Sequence, residues 1–238
     1  MPSPVHPPAT HSPAARATAV RSALPVLLPA LFSGVLLALV AVEWGPLISF
    51  DRSVAEDLHT SAVRHPAATR TTRVLSDWVW DPWTLRALVA GAVVWLWWQG
   101  ERLLAVWAAG VMAAGAVVQQ VLKALVGRER PHWPDPVDTA HFAAYPSGHA
   151  MTAVVGCGLL LWLLARHGRG PGSRAWRVAA VLSALSAAGV GLTRLYLGVH
   201  WPSDVLGGWL LGALVLAAGI SWYERRAGGR PGPGVRET

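Results

Sequence analysis

Long apolar runs alternate along this chain with short polar connections. Ala23 to Val42 is the clearest, 20 residues without a charged side chain, long enough for a helix to cross a bilayer core. Further runs lie at about Leu85 to Trp98, Leu103 to Leu122, Ala150 to Ala165, Val178 to Leu192 and Val205 to Trp222. The second, fourth and fifth of the six are short on a strict charge-free count and need flanking residues to span. The pattern predicts an all-α fold, a polytopic membrane bundle of about six transmembrane helices over residues 23–222. A tail over 1–22 precedes it and a basic tail over 223–238 follows. Residues 1–22 are rich in Pro, Ala, Ser and His and lack acids and periodicity, the composition of a disordered segment. The first apolar run is too long for a signal h-region, and no small-residue cleavage site precedes Glu43-Trp44, so it reads as a retained span.

Between the spans, Asp51 to Trp83 is the one sizeable polar connection. Ser53-Val54-Ala55-Glu56 matches a capping box, and Val54, Leu58 and Val63 form a weak apolar stripe, so one or two short helices along the membrane surface are expected. His59 and His65 within it read as solvated. Gln119 and Gln120, near the end of the third run, are expected to face the bundle interior, and Gly207, Gly208 and Gly212 to permit close helix packing.

Composition agrees with the pattern. Hydrophobic residues make up 53% of the chain and charged residues 14%. The net charge of +7 is spread through tails and loops and not gathered on one soluble face, which argues against a nucleic-acid partner. It orients the chain instead. The N-tail, the Arg102 turn, the Arg166–Arg177 loop and the C-tail carry eleven cations, the alternate loops eight. The positive-inside rule places both termini in the cytoplasm of a multi-pass plasma-membrane protein. Most of the 14 tryptophans, among them Trp78, Trp80, Trp83, Trp95, Trp97 and Trp98, suit an interfacial belt. Cys157 is the single cysteine and allows no intrachain disulfide.

Three stretches are polar where the bundle is otherwise apolar, and on this topology all three face the extracytoplasmic side. Lys123 to Pro131 ends the third span, and Lys123 is the one lysine in a chain that otherwise uses arginine. Tyr145-Pro146-Ser147-Gly148-His149 opens the fourth, where Ser147 suits a helix cap and free N–H groups favour an anion. Thr193 to Asp204 joins the last two spans. A helix starting about Pro202 puts Asp204 in its first turn, within reach of one ring nitrogen of His200, and leaves the other nitrogen free to act as nucleophile or base. Together the stretches supply Lys123, Arg130 and Arg194 as a cationic clamp, the Ser147 hydroxyl and Gly148 N–H as donors, and two histidines with opposite roles. That set suits phosphoryl transfer through a phosphohistidine.

The three stretches resemble the motifs of the type 2 phosphatidic acid phosphatase family: Lys-x6-Arg-Pro (Lys123, Arg130, Pro131), Pro-Ser-Gly-His (Pro146 to His149) and Ser-Arg-x5-His-x3-Asp (Thr193, Arg194, His200, Asp204). Order and spacing match, with Thr193 in place of the usual serine. The resemblance implies a lipid phosphatase in which His200 attacks phosphorus and Asp204 fixes its tautomer. Lys123, Arg130, Arg194, Ser147 and the Gly148 N–H hold the phosphoryl oxygens, and His149 protonates the leaving oxygen and then activates water. It implies no cofactor and no metal, and Asp135 and Asp138 read as solvated loop carboxylates. Polyprenyl diphosphates such as undecaprenyl diphosphate, phosphatidic acid and phosphatidylglycerol phosphate are the expected substrates. A lipid phosphotransferase using the same site, a non-catalytic membrane protein and a protein like the vanadate-dependent haloperoxidases are the alternatives.

Overall fold

Eight helices make up most of the described chain, residues 13–228 of the computed structural model, with side chains described from 23 to 226. They are α1 (Pro13–Ala41), α2 (Gly45–Arg64), α3 (Pro66–Val74), α4 (Pro82–Trp98), α5 (Arg102–Val126), α6 (Gly148–Arg166), α7 (Arg174–Tyr196) and α8 (Pro202–Gly228). A π-helical turn, Leu75–Val79, continues α3.

Local chemistry sets several boundaries. Asp81 caps α4 by accepting the Trp83 N–H at 2.8 Å, with Pro82 at the first position, where its missing donor goes unused. Ser173 caps α7 through the Trp176 N–H at 3.1 Å. Gly127, at φ +60°, stops α5 in the left-handed conformation that glycine adopts without strain. In the Asp51–Trp83 connection the outcome differs from the capping-box expectation. Helix α2 starts eight residues earlier, at Gly45 with Pro46 in its first turn, and Ser53 lies in its interior. Helix α1 likewise begins at Pro13, so residues 13–22 extend the first apolar helix instead of forming an unstructured tail.

Among the described residues, five helical stretches are long and apolar enough to cross a membrane: Ala23–Ala41, Arg102–Val126, Gly148–Arg166, Arg174–Tyr196 and Pro202–Arg226. Helix α4, which carries the second of the six expected runs, has 17 residues. At 1.5 Å per residue it reaches about 26 Å, near the lower limit for a span. The chain is a multi-pass membrane protein.

Helix α6 is the axis of the bundle and packs against α4, α5, α7 and α8. Leu96, Leu104, Trp107, Val155, Leu159 and Tyr223 form the main buried cluster. Lipid is as apolar as these side chains, so close fit rather than burial from water holds such helices together. The seam between α6 and α8 is the tightest. A methyl group on Gly208 would meet the Ser147 carbonyl oxygen at 2.6 Å, and one on Gly212 the Met151 carbonyl oxygen at 3.0 Å. Trp78, Trp83, Trp95, Trp97 and Trp98 are exposed, as a belt requires. Trp80 is not: it packs over Gly189 and against the buried cluster of Leu85, Ala153, Cys157 and Val190. Gln119 is buried, whereas Gln120 is exposed.

Candidate active site

The end of α5, the start of α6, the end of α7 and the start of α8 all lie at one end of the bundle, because consecutive long helices run antiparallel through it. The three polar stretches occupy these four termini. Between them is a cavity of about 170 Å³ whose lining includes Lys123, Arg130, Gly148, His149, Arg194 and His200. Residues scattered over nearly eighty positions of sequence thus share one small space.

His200 sits in the turn between α7 and α8 and is buried. Its Nδ1 lies 3.3 Å from Asp204 Oδ2 and its Nε2 lies 3.2 Å from Arg130 NH1. A guanidinium can only donate, so Nε2 is the acceptor and the ring proton sits on Nδ1, donated to Asp204. Pro202 starts α8 and brings the carboxylate back under the ring, where Asp204 Oδ2 also accepts the Trp201 N–H at 2.8 Å. Burial, with the charges of Arg130, Arg194 and Lys123, holds the His200 imidazole well below its ordinary range. At neutral pH the ring is therefore uncharged and carries its lone pair on the nitrogen that faces the cations. Such a nitrogen can attack an anionic phosphorus centre.

Two of the three cations are held by backbone carbonyls. Arg130 donates through Nε to Phe142 O at 2.9 Å, through NH2 to His141 O at 3.2 Å, and through NH1 to Val199 O. Lys123 Nζ donates to Ala143 O. Burial and the nearby Arg194 charge pull Arg130 down to about 10, which leaves it charged at neutral pH. Arg194 donates through NH1 to Ser76 Oγ at 2.9 Å and lies 3.7 Å from Asp138 Oδ2. Asp138 is thus half-buried beside a cation, not solvated as the sequence suggested.

Ser147 occupies the cap position of α6, yet its hydroxyl caps nothing. It is buried and has no hydrogen-bond partner among the described residues, while the Ser147 N–H donates to the Asp204 carbonyl oxygen at 2.9 Å. A methyl group on Gly148 would lie 2.5 Å from Gln119 Nε2, so any larger residue at the α6 start would displace the Gln119 amide. Thr193 is buried, and its hydroxyl donates to Val190 O at 2.9 Å within its own helix.

These positions compare directly with known sequences. The sequence profile described as "PAP2 superfamily" matches residues 104–227, the stretch that holds all three motifs. The chain belongs to the PAP2 superfamily. Among curated proteins, this PAP2 chain is 33% identical over 105 residues to phosphatidylglycerophosphatase B of Bacillus subtilis, an alignment covering 44% of the chain and 51% of that protein. It is 39% identical over 82 residues to undecaprenyl-diphosphatase of Sulfolobus acidocaldarius, covering 34% of the chain and 32% of the relative. The chain therefore aligns with about half of the first relative's length and about a third of the second's. Its fold is that of the crystal structure of a transmembrane PAP2-type phosphatidylglycerolphosphate phosphatase from Bacillus subtilis, with a TM-score of 0.73 at 23% identity. That match covers 84% of this chain and 96% of the other.

Two residues of this PAP2 chain that sequence reasoning passed over stand directly behind the histidine. Arg128 donates through NH1 to Asp204 Oδ1 and through NH2 to Asp51 Oδ2, both at 2.7 Å. Burial opposes its charge, but Asp204 and Asp51 outweigh that and raise it above the ordinary guanidinium range. Asp51 also accepts the Ser203 N–H at 2.9 Å and the Ser203 hydroxyl, which itself lies 2.7 Å from Arg128 NH1. One guanidinium thus ties the start of α2 to the start of α8. The available signal was a second arginine two residues before Arg130; nothing in sequence pairs it with Asp51.

His59 is a further correction. It is buried, stacks on Trp133 with ring centroids 4.1 Å apart, and places Nε2 3.1 Å from Asp135 Oδ1. The exposed Asp135 carboxyl is held below the usual range by that hydrogen bond. Trp133 in turn donates through Nε1 to Gly198 O at 2.9 Å, so this cluster buttresses the turn that carries His200.

Proposed function

We propose that this protein is a metal-independent membrane lipid phosphatase working at the extracytoplasmic face, with both termini in the cytoplasm, and that it acts through a phosphohistidine. The observation that carries the reading is the arrangement around His200. Its Nδ1 is on Asp204, while its Nε2 faces Arg130 in a cavity shared with Lys123, Arg194 and His149.

In this mechanism Lys123, Arg130, Arg194, the Ser147 hydroxyl and the Gly148 N–H hold the non-bridging phosphoryl oxygens and the charge that gathers on them. The His200 Nε2 lone pair forms an N–P bond as the bond from phosphorus to the lipid oxygen breaks. His149, protonated at this stage, gives its proton to that departing oxygen. The proton on His200 Nδ1 remains shared with Asp204, whose charge stabilises the imidazolium-like ring. Neutral His149 then takes a proton from water as the water oxygen attacks phosphorus. The N–P bond breaks, inorganic phosphate leaves, and His149 is protonated again. One water is consumed per lipid.

The names of the relatives and the family motifs direct the choice of substrates to polyprenyl diphosphates such as undecaprenyl diphosphate, phosphatidylglycerol phosphate and phosphatidic acid. The test is phosphate release by detergent-purified protein with EDTA present, across these three lipids and a water-soluble phosphate ester, with His200→Ala as control. Turnover that survives EDTA and disappears in the folded variant is the expected result. Full activity of His200→Ala overturns the mechanism. Lipid consumption without release of inorganic phosphate, with the phosphoryl group found on an added alcohol, replaces it with phosphotransfer.

A further inference from the structure

Residues 139–143, in the connection between α5 and α6, border the cavity that holds His149 and His200. The segment runs between two anchored points. Before it, Val137 O accepts from Arg73, and Asp138 Oδ2 lies 3.7 Å from Arg194. After it, the Ala144 N–H donates to Arg128 O at 2.8 Å, and Ala144 is buried. In between, His141 is exposed and Phe142 is 85% exposed, so little packing holds the segment down. Among the described residues, the hydrogen bonds of 140–143 run only to cations of the phosphate site: His141 O and Phe142 O accept from Arg130, and Ala143 O from Lys123. These carbonyl oxygens stand on the donors that phosphoryl oxygens need. Arg130 directs its N–H groups at Phe142 O, His141 O, Val199 O and His200 Nε2, and a guanidinium has hardly another to offer. Its contact with Nε2 also covers the lone pair that must attack phosphorus. The segment divides space as well, since Ala140 and Phe142 line both the cavity of about 170 Å³ and a neighbouring one of about 560 Å³. The first is smaller than ordinary ligand pockets of roughly 300–1,000 Å³, and the second is not.

We propose that residues 139–143 form a substrate gate: their backbone carbonyls hold Arg130 and Lys123 in the resting enzyme and give them up to the phosphoryl group of the lipid, and Phe142 sets how readily the gate opens. Phe142 has φ +69°, a left-handed backbone that disfavours a bulky L-residue. Strain of this kind persists only where surrounding contacts enforce it, and here the enforcing contacts are the ones for which phosphate competes. Release lets residue 142 return to negative φ, so the strain favours opening. Anionic oxygens accept more strongly than neutral carbonyls, which tips the exchange once the phosphate arrives. With Arg130 drawn onto phosphate, His200 Nε2 is uncovered and the two cavities join. Phe142 is thus a positioning residue that acts on the chemistry through Arg130. The inference rests on the phosphatase reading above and adds a step that precedes the chemistry.

The experiment compares Phe142→Gly, Phe142→Asn and Phe142→Val in the full chain in detergent, reading kcat/KM on the best of the three candidate lipids. All three variants lack the ring, so they differ in how well residue 142 accepts the left-handed backbone: Gly and Asn accept it, and β-branched Val accepts it least. Gly and Asn therefore favour the closed gate and Val the open one. The kcat/KM of Phe142→Val should exceed that of Phe142→Gly by roughly five- to thirtyfold, with Phe142→Asn on the glycine side. A second measurement follows the gate itself. A nitroxide on His141→Cys, in a Cys157→Ala background, should become more mobile when saturating inorganic phosphate is added. Equal kcat/KM in the three variants, even at a common loss from wild type, overturns the inference, because then only the ring matters or nothing at 142 does. So does a label that phosphate leaves unchanged or slows. In both cases wild-type turnover leaves the phosphatase reading intact. A wild-type protein inactive on all three lipids overturns the phosphatase reading, and the inference with it.

Discussion

Arg128 bridges two carboxylates that have almost no access to solvent, and its removal has consequences that can be sized. Asp204 and Asp51 are 0% and 1% exposed, each 2.7 Å from a different nitrogen of the guanidinium. Arg128→Met leaves both as uncompensated buried charges. Breaking one buried pair by removing a partner costs about 3–5 kcal/mol. The two acids sit on one cation, so either can escape by taking up a proton, and the total stays in that range instead of doubling. For a chain of this size that lowers the melting temperature by roughly 6–20 °C. Asp204 then no longer offers a full charge to His200, and kcat on the best lipid should fall by about 10²- to 10⁴-fold. Arg128→Lys keeps a charge but reaches one carboxylate, and should lie between. Adding Asp51→Asn to Arg128→Met removes one stranded acid and should regain about 1–3 kcal/mol, whereas Asp51→Asn alone destabilises. Thermal unfolding in detergent and phosphate release measure both effects. An Arg128→Met protein melting within about 2 °C of wild type with kcat within threefold refutes the account.

Other expectations follow from the same geometry. His149→Ala should abolish phosphate release while leaving the melting temperature within a few degrees; substantial turnover would assign the proton transfer elsewhere. Thr193→Ala should lower kcat less than tenfold, since its hydroxyl bonds Val190 O in its own helix; a loss as deep as that of His200→Ala would place the hydroxyl on substrate. The unfolded chain protonates His200 near 6.5, the folded chain only well below that, so stability contributed by the neutral ring is present above pH 6.5 and is lost as pH falls below it. Melting temperatures at pH 7.5 and 5.5 should drop less in His200→Gln than in wild type, and equal drops would mean the ring is not held neutral. Gly148→Ala drives a methyl into the Gln119 amide. It should cut activity more than stability, because that amide is the end of a movable side chain, and Gln119→Ala should restore part of the activity.

The membrane bundle was readable because apolar runs long enough to span leave few other options, and the motif residues were readable because they interrupt those runs at helix ends. What escaped reading was long-range pairing. Asp51 and Arg128 are 77 positions apart and Asp51 and Ser203 are 152 apart, and neither has a local period to mark it. His59 looked solvated because its own helix is polar; its burial comes from Trp133, which no local pattern places against it. The capping box at Ser53 lost to an earlier start because Pro46 suits the first turn and α2 could continue through Ser53 without interruption. Arg194 was read as free to meet phosphate, yet it also meets Ser76 and Asp138, partners contributed by the π-helical turn after α3 and by the connection between α5 and α6.

The seam between α6 and α8 divides the protein into a part that resists redesign and a part that accepts it. Where Gly208 and Gly212 let backbone meet backbone, and the Ser147 N–H meets the Asp204 carbonyl oxygen, the spacing of the Ser147–His149 stretch from the His200–Asp204 stretch is fixed by main-chain atoms. No exchange of side chains can retune it. The α4 and α5 wall is lined instead by side chains, among them Arg86, Met112, Ala116 and Gln120. An engineer seeking a different lipid would leave the first wall alone and build a library in the second.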